Sequence, residues 1–387
     1  MNFKLSLPTE IIFGEGTTNE VAKYTKKFSD NILLVIGKKS AKETGLFDKV
    51  TKLLNYENIK YEVLEGIKAN PTVDLVRIGI EIIRQKNIDF ILAVGGGSVI
   101  DTAKAIACGV FYEGDVWDFF VRKAVIKKAL PIGVVLTLAA AGSEMNGNAV
   151  VSNTETKQKL AISSHLLYPK FSILDPINTL TVPLEHTLYG VVDILSHVFE
   201  QYFDKTPQEE SILQDRFAES IIKTVIEIAP KLKDDLSNVS YRATIMWCST
   251  MALNGIIGCG KIHDWSSHQI EHAISAVYDN ISHGLGLAIV FPAWMRYVID
   301  EIPYKFYNFA KNIWGIKKES IVETALEGIG FLEKFYKDLG IPTKLSEVGI
   351  THKDFDIIAS KAVEFGAIGS VKKLNKEDVL KILTLCS

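Results

Sequence analysis

Cysteine is scarce in this chain of 387 residues, with only Cys108, Cys248, Cys259 and Cys386. No two of them form a C-x-x-C pair, so neither a zinc ribbon nor a thioredoxin-like redox motif is indicated. Four scattered thiols in a chain of this length suit a reducing compartment. Excess charge is also missing. Lys and Arg total 43 against 46 Asp and Glu, a net charge of −3, which gives no electrostatic reason to expect a nucleic-acid partner. No apolar run approaches the ~18 residues of a bilayer span, and the opening MNFKLSLPTEIIFGEG lacks the basic-then-apolar layout of a signal peptide. Together these absences imply a cytoplasmic protein without membrane or nucleic-acid partners. Three familiar motifs are absent as well: the G-x-G-x-x-G fingerprint, the G-x-x-x-x-G-K-[ST] loop and the H-E-x-x-H zinc helix.

What is present is a globular composition, 47% apolar and 23% charged, in a chain long enough for two domains. The first half alternates β-branched runs with helical periodicity. Strands are expected at Ile11–Phe13, Ile32–Ile36, Tyr61–Leu64, Phe90–Val94 and Ile132–Leu136, and Val73, Val76, Ile80 and Ile83 mark a helix between two of them. Such alternation implies βαβ units and a largely parallel sheet. After about Pro183 long helical segments take over, such as Gln208–Ile228 and Ser240–Leu253. Pro176 and Pro183 interrupt regular structure between the halves. The expected division is an α/β nucleotide-binding domain over residues 1–182 and an all-α domain over residues 183–387.

Two clusters carry chemistry. The apolar run Phe90–Val94 is followed at once by Gly95-Gly96-Gly97-Ser98 and then by a helical stretch. A strand, a glycine turn and a helix start can bind phosphate, because the backbone approaches closely and free N–H groups point at the anion. Ser98 would cap the helix and donate to a phosphate oxygen. A tight turn with no ligand fits GGGS alone equally well.

The second cluster combines Asp193 and His197, four residues apart, with His268 and His272, also four apart, and with His283. Residues four apart share a helix face. A mixed carboxylate and imidazole set suits zinc or ferrous iron and is too rich in nitrogen for Ca²⁺ or Mg²⁺. As an isolated pair, Asp193 and His197 read better as a helix-surface hydrogen bond than as metal ligands, and His268 with His272 is the stronger metal signal. His165, His186, His263 and His352 read as ordinary polar residues.

Taken together these segments resemble the iron-containing (group III) alcohol dehydrogenases, above all their butanol-dehydrogenase-like, NADPH-dependent branch. The resemblance runs through Pro8–Gly14, GGGSVID at 95–101, TLAAAGSEMN at 137–146 and the histidine region as far as Phe291-Pro292-Ala293-Trp294. It implies an α/β nucleotide-binding domain and a helical catalytic domain with the cleft between them, an architecture shared with dehydroquinate synthase. It implies metal ligands at Asp193, His197, His268 and His283, for Fe²⁺ or Zn²⁺, with His272 passing a proton. It further implies pyrophosphate contacts at Gly96, Gly97 and Ser98, cofactor contacts at Asp101, Thr137 and Lys159, an adenosine-side contact at Asn70, and a homodimer or larger homo-oligomer.

Two departures stand out. Ala140-Ala141 replaces the family's frequent Ala-Thr, removing a hydroxyl near the cofactor. The loop after the second strand reads Gly37-Lys38-Lys39-Ser40 and holds no acidic residue to accept from a ribose 2′-OH. Lys38, Lys39 and Ser40 would welcome a 2′-phosphate, so NADP(H) is favoured over NAD(H), with Gly37, Lys39 and Ser40 as cofactor contacts; the alternative is that both lysines are solvated surface charges.

The expected activity is metal-dependent interconversion of small primary alcohols and aldehydes. Two rivals remain at this stage. One is a lyase like dehydroquinate synthase, whose phosphorylated, carboxylated substrate would need several cationic side chains. Only Lys261 lies between Ile257 and Tyr278. The other is a non-enzymatic nucleotide sensor with a structural metal, for which cysteine ligands are usual.

Overall fold

The computed structural model describes residues 2–387. Internal contacts divide the chain into two compact units. One comprises Ser6–Pro183 together with Leu236–Thr250; the other comprises Leu184–Asp235 and Met251–Ser387 with the N-terminal residues to Leu5. The short segment at 236–250 therefore clusters with the α/β unit, although it lies inside the second half of the sequence.

The α/β unit is built on strands β1 (Glu10–Phe13), β2 (Asn31–Gly37), β3 (Lys60–Ile67), β4 (Phe90–Gly95), β5 (Ile132–Leu136), β6 (Asn148–Asn153), β7 (Gln158–Ser163) and β8 (Phe171–Leu174). Six of them form one sheet in the order β1-β8-β5-β4-β2-β3, and every pairing in it is parallel. β6 and β7 form a separate antiparallel hairpin. A parallel sheet covered on both faces needs near-continuous apolar strands, and Ile32–Ile36, Phe90–Val94 and Ile132–Leu136 are buried throughout. Alternation then sorts their side chains. Leu33, Val35, Ile91, Ala93 and Val134 join Val76, Ile80, Ile83, Ile100 and Ile106 from the helices Val73–Lys86 and Gly97–Gly109. Ile32, Leu34, Ile36, Leu92 and Val135 face Val50 and Leu54 of the helix Leu46–Tyr56 instead. Each fully buried aliphatic chain contributes roughly 1.5–3 kcal/mol, so a one-residue slip in any central strand would invert both layers.

The connection from β2 runs to β3 on one side, whereas that from β4 runs to β5 on the other. The β2/β4 boundary is thus a topological switch point, where open parallel sheets bind ligands outside the carboxyl ends of their strands.

The second unit is helical: no strand lies beyond Leu174 among the described residues. Its central helix, Leu184–Tyr202, is buried on almost every side, as expected of a helix surrounded by others. Phe199 and Phe203 pack against Phe291, Phe306 and Phe309, with ring centroids 4.6–5.6 Å apart. No helix among the described residues is long and apolar enough to cross a membrane.

Candidate active site: a nucleotide edge and a carboxylate–histidine cluster

In the α/β unit several of the expected cofactor residues lie at or just beyond the carboxyl ends of the sheet's strands. Gly37 ends β2, Gly95 ends β4, and Thr137 follows β5 and donates its N–H to the Gly95 carbonyl at 3.1 Å. The helix Gly97–Gly109 starts directly after Gly96, so its first N–H groups lack intrahelical acceptors. The glycines are also needed for packing. A Cβ on Gly96 would lie 3.1 Å from Leu138, and one on Gly97 would lie 3.3 Å from the Ala141 methyl.

Ser98 does not cap its helix. Gly96 takes the N-cap position, and the Ser98 hydroxyl donates to the Ala69 carbonyl, which ties the glycine turn to the loop carrying Asn70. The Asp101 carboxylate accepts from the Ser143 hydroxyl at 2.6 Å and the Val150 N–H at 2.9 Å. Lys159 is buried in the hairpin opposite Ser152, and the Ser152 N–H reaches Pro71 O, next to Asn70. Lys38, Lys39 and Ser40 are exposed beyond Gly37, and the nearby Glu65 is paired with Lys42.

In the helical unit three elements converge. The helix Leu184–Tyr202 carries Asp193, His197 and Glu200, spaced by four and three residues on one face. The helix Ser266–Val277 carries His268, Glu271 and His272, and His283 opens the helix His283–Tyr297. Glycine lets them meet. A Cβ on Gly284 would fall 2.0 Å from the Tyr189 carbonyl oxygen, so any side chain there would push the first and third helices apart.

Asp193, His268 and His283 bring ligand atoms within 4.8 Å of one another. His197 adjoins them: its Nδ1 is 3.4 Å from Asp193 Oδ1, and its ring centroid is 4.8 Å from that of His268. The Asp193 carboxylate also lies 3.6 Å from His283 Nε2. His272 stands beside the cluster, its ring 5.4 Å from His283 and 6.5 Å from His268. Asp193 Oδ1, His197 Nδ1 and His268 Nε2 are buried without hydrogen-bond partners. Burial drives the His197 pKa down to about 3, against the opposing pull of Asp193, so the imidazole is neutral and keeps a lone pair. Unpartnered buried acceptors are costly, and a divalent cation would satisfy all three at once. The donor set of one carboxylate and three imidazoles fits zinc or ferrous iron.

Two carboxylates behind the histidines were not anticipated from sequence. Glu200 receives His268 Nδ1 at 2.8 Å, and Glu271 pairs with His283 Nδ1. Burial pushes the Glu200 carboxyl upward, opposed by its hydrogen bond from His268. The available signal was spacing: Glu200 falls on the Asp193/His197 face, and Glu271 lies between the two histidines of its own helix. Asp264 fixes the start of that helix by accepting from Ser266 N, Ser370 N and Val371 N at 2.7–2.9 Å.

An α/β unit with a phosphate-type glycine turn and a helical unit holding a carboxylate–histidine cluster are the features expected of a nucleotide- and metal-using enzyme. The model of the iron-containing alcohol dehydrogenase family matches residues 8–176, and that of the family's C-terminal region matches residues 187–386. The chain is 49% identical to a probable NADH-dependent butanol dehydrogenase of Bacillus subtilis, covering 99% of this chain and 98% of that one. It is 37% identical to an NADPH-dependent aldehyde reductase of Escherichia coli, covering 94% of each. Among solved structures, an NADH-dependent butanol dehydrogenase A of Thermotoga maritima superposes with a TM-score of 0.96 at 40% identity, over 100% of this chain and 98% of that one. The chain therefore belongs to the iron-containing alcohol dehydrogenase family and is an enzyme of alcohol and aldehyde oxidoreduction.

Proposed function

We propose that this enzyme interconverts small primary alcohols, such as butanol, with their aldehydes, using a divalent metal held by Asp193, His197, His268 and His283 and preferring NADP(H) to NAD(H). The three buried, unpartnered atoms on Asp193, His197 and His268 carry the metal half of this proposal. When bound, the metal polarises the substrate oxygen and the nicotinamide gives or takes the hydride.

The protein's own residues supply position and protons. The N–H groups of Gly96, Gly97 and Ser98 would hold the pyrophosphate, with Asn70, Asp101, Thr137 and Lys159 around the rest of the cofactor. His272, its ring 5.4 Å from that of His283, would move the alcohol's proton to or from solvent.

A small, uncharged substrate fits the surroundings of the cluster better than a sugar-acid phosphate. Lys261, the one cation in the segment 257–278, has a side chain with no exposure and is spent on Asp204 at 2.9 Å and Asp215 at 2.5 Å. A closed structural metal is disfavoured by the cysteines. Cys108, Cys248 and Cys386 are buried elsewhere, and the Cys259 thiol donates to the Ile256 carbonyl.

The preference for NADP(H) rests on the loop Gly37–Ser40, where Lys39 and Ser40 would meet the 2′-phosphate and no carboxylate would repel it. Relatives bear names of both kinds, NADH-dependent at 49% identity and NADPH-dependent at 37%. The four cysteines are free, in keeping with a cytoplasmic enzyme. Exposed Leu213 and Phe217, one turn apart on the helix Ile212–Asp234, support a homodimer or larger homo-oligomer.

Metal analysis paired with butyraldehyde reduction under NADPH and under NADH tests the whole proposal. The expected results are about one Fe²⁺ or Zn²⁺ per chain, a higher kcat/KM with NADPH, and loss of both metal and turnover in His268→Ala. Full metal and normal turnover in His268→Ala would remove that residue from the ligand set. A clear advantage for NADH would overturn the assignment of Lys39 and Ser40.

A further inference from the structure

His268 and His283, the two proposed ligands from the later helices, are each backed by a buried carboxylate. Glu200, with no exposure, points both oxygens at donors: Oε1 accepts from His268 Nδ1 at 2.8 Å and His268 N at 3.1 Å, and Oε2 accepts from Trp265 N at 2.8 Å. Two of these three donors are backbone N–H groups, which can only donate, so the carboxyl is held here as an acceptor. A hydrogen on His268 Nδ1 completes this set of donors and leaves the lone pair on Nε2, the atom buried without a partner. Glu200 has no lysine or arginine partner among the described residues. The Trp265 N–H it receives belongs to a residue held at φ 67°, a left-handed conformation that bulky side chains rarely adopt.

Glu271, also without exposure, repeats the arrangement for His283. Oε2 receives His283 Nδ1, and Oε1 receives the Ser275 hydroxyl. His283 Nε2 is thereby turned toward Asp193 Oδ1, 3.6 Å away. Room for this carboxylate is made by Gly286, where a Cβ would lie 2.7 Å from Glu271 Cγ.

We propose that Glu200 and Glu271 are positioning residues for the metal: each holds the Nδ1–H of one histidine and so fixes Nε2 as the ligating atom before metal arrives. This rests on the metal site proposed above. Carboxylates behind ligating histidines orient the ring and raise its basicity, and their loss typically costs 10- to 100-fold in metal affinity. Gln keeps an acceptor oxygen for the Nδ1–H, whereas Leu keeps only the volume, so the two substitutions separate orientation from packing.

The metal-free full chain, its Glu200→Leu and Glu271→Leu variants and the matching Gln variants are titrated with Zn²⁺ against a chromogenic chelator, and circular dichroism reports folding in each. The expected result is tight binding by the wild type, a loss of about 10- to 100-fold in each folded Leu variant, and retention within about tenfold in the Gln variants. The Co²⁺ absorption spectrum is expected to shift in the Leu variants only. A folded Leu variant with wild-type Zn²⁺ affinity and an unchanged Co²⁺ spectrum overturns the proposal. Should the Leu variants fail to fold, nitrogen-labelled histidine NMR of the metal-free wild type decides: His268 and His283 protonated on Nδ1 support it, and protonation on Nε2 overturns it. A wild-type chain that takes up no Zn²⁺ instead removes the metal site itself, an outcome distinct from unaltered binding in the variants.

Discussion

Lys104 shows how a single residue can tie the glycine turn to the rest of its unit. It lies on the helix that follows the turn and is completely buried. Its ammonium donates to Ser143 O at 2.7 Å, Ser143 Oγ at 2.8 Å, Asn146 Oδ1 at 3.1 Å and Asn148 O at 2.7 Å. Ser143 in turn donates to Asp101, so the charge organises the loop 139–148 against the expected cofactor residues. Loss of water lowers the lysine pKa from 10.5 to about 8, partly opposed by Asp101 and Glu144. The sign of the consequence follows from proton counting. Below about pH 8 both folded and unfolded chains carry the proton, and the folded state bears the full cost of burying it. Between about 8 and 10.5 the unfolded chain binds more protons, so stability rises with pH. Relative to Lys104→Met, the wild type is therefore expected to gain on the order of 3 kcal/mol between pH 7 and 10.5. Urea denaturation at a series of pH values measures the gain, and a pH-independent difference between the two proteins would contradict it.

At the scale of elements, the cluster depends on how closely three helices approach. Gly284→Ala places a methyl within 2.0 Å of a backbone oxygen, at Tyr189, that cannot rotate away. The expected cost is at least the 1–3 kcal/mol typical of overpacking. Gly330 offers the opposite case on the helix Ile321–Leu339: nothing lies within 4 Å of its absent Cβ. Gly330→Ala should stabilise by about 0.5–1 kcal/mol through helix propensity alone. Thermal melting of the two variants should thus move in opposite directions, and a neutral Gly284→Ala would mean the helices are free to separate. The same elements mark what was legible beforehand. Strands β2, β4 and β5 could be read because burial on both faces forces unbroken apolar runs, and β1 and β3 from their short β-branched stretches. The hairpin β6–β7 was missed, since its buried positions mix polar Asn153 and Lys159 with Ala149, Val151 and Ile162, so no unbroken apolar run marks it. β8 escaped because it has four residues, one of them Ser172. The expected helix at Gln208 begins instead at Ile212, after a short turn and a non-helical Ser211, and continues past Pro230 to Asp234. Histidine spacing marked the cluster, whereas Glu200 and Glu271 resembled ordinary helix-surface charges. Their burial is set by tertiary packing, which sequence periodicity does not register.

For the whole molecule, chain order is an imperfect guide to which residues share a unit. Leu236–Thr250 sits within the helical half of the sequence, yet Met246 enters the apolar cluster of the α/β unit and Thr250 donates to buried Glu144 at 2.6 Å. Nothing local in that segment distinguishes it from the helices around it, because partner choice depends on residues a hundred positions away. The helical unit meanwhile buries Asp193 and two histidine nitrogens without protein partners, so its folded state should be worth more with a cation than without. Ligand that binds only the native state adds RT ln(1 + [L]/Kd), about 2.7 kcal/mol at a hundredfold excess over Kd. For a unit of this size each kcal/mol moves the melting midpoint by roughly 2–4 °C. Calorimetry in Zn²⁺ should therefore give a midpoint about 5–10 °C above that in chelator. His268→Ala, which removes one of the three orphaned atoms, should lose most of this difference while melting close to the metal-free wild type. Equal midpoints with and without metal in the wild type would show that the cluster meets its buried polar atoms in some other way.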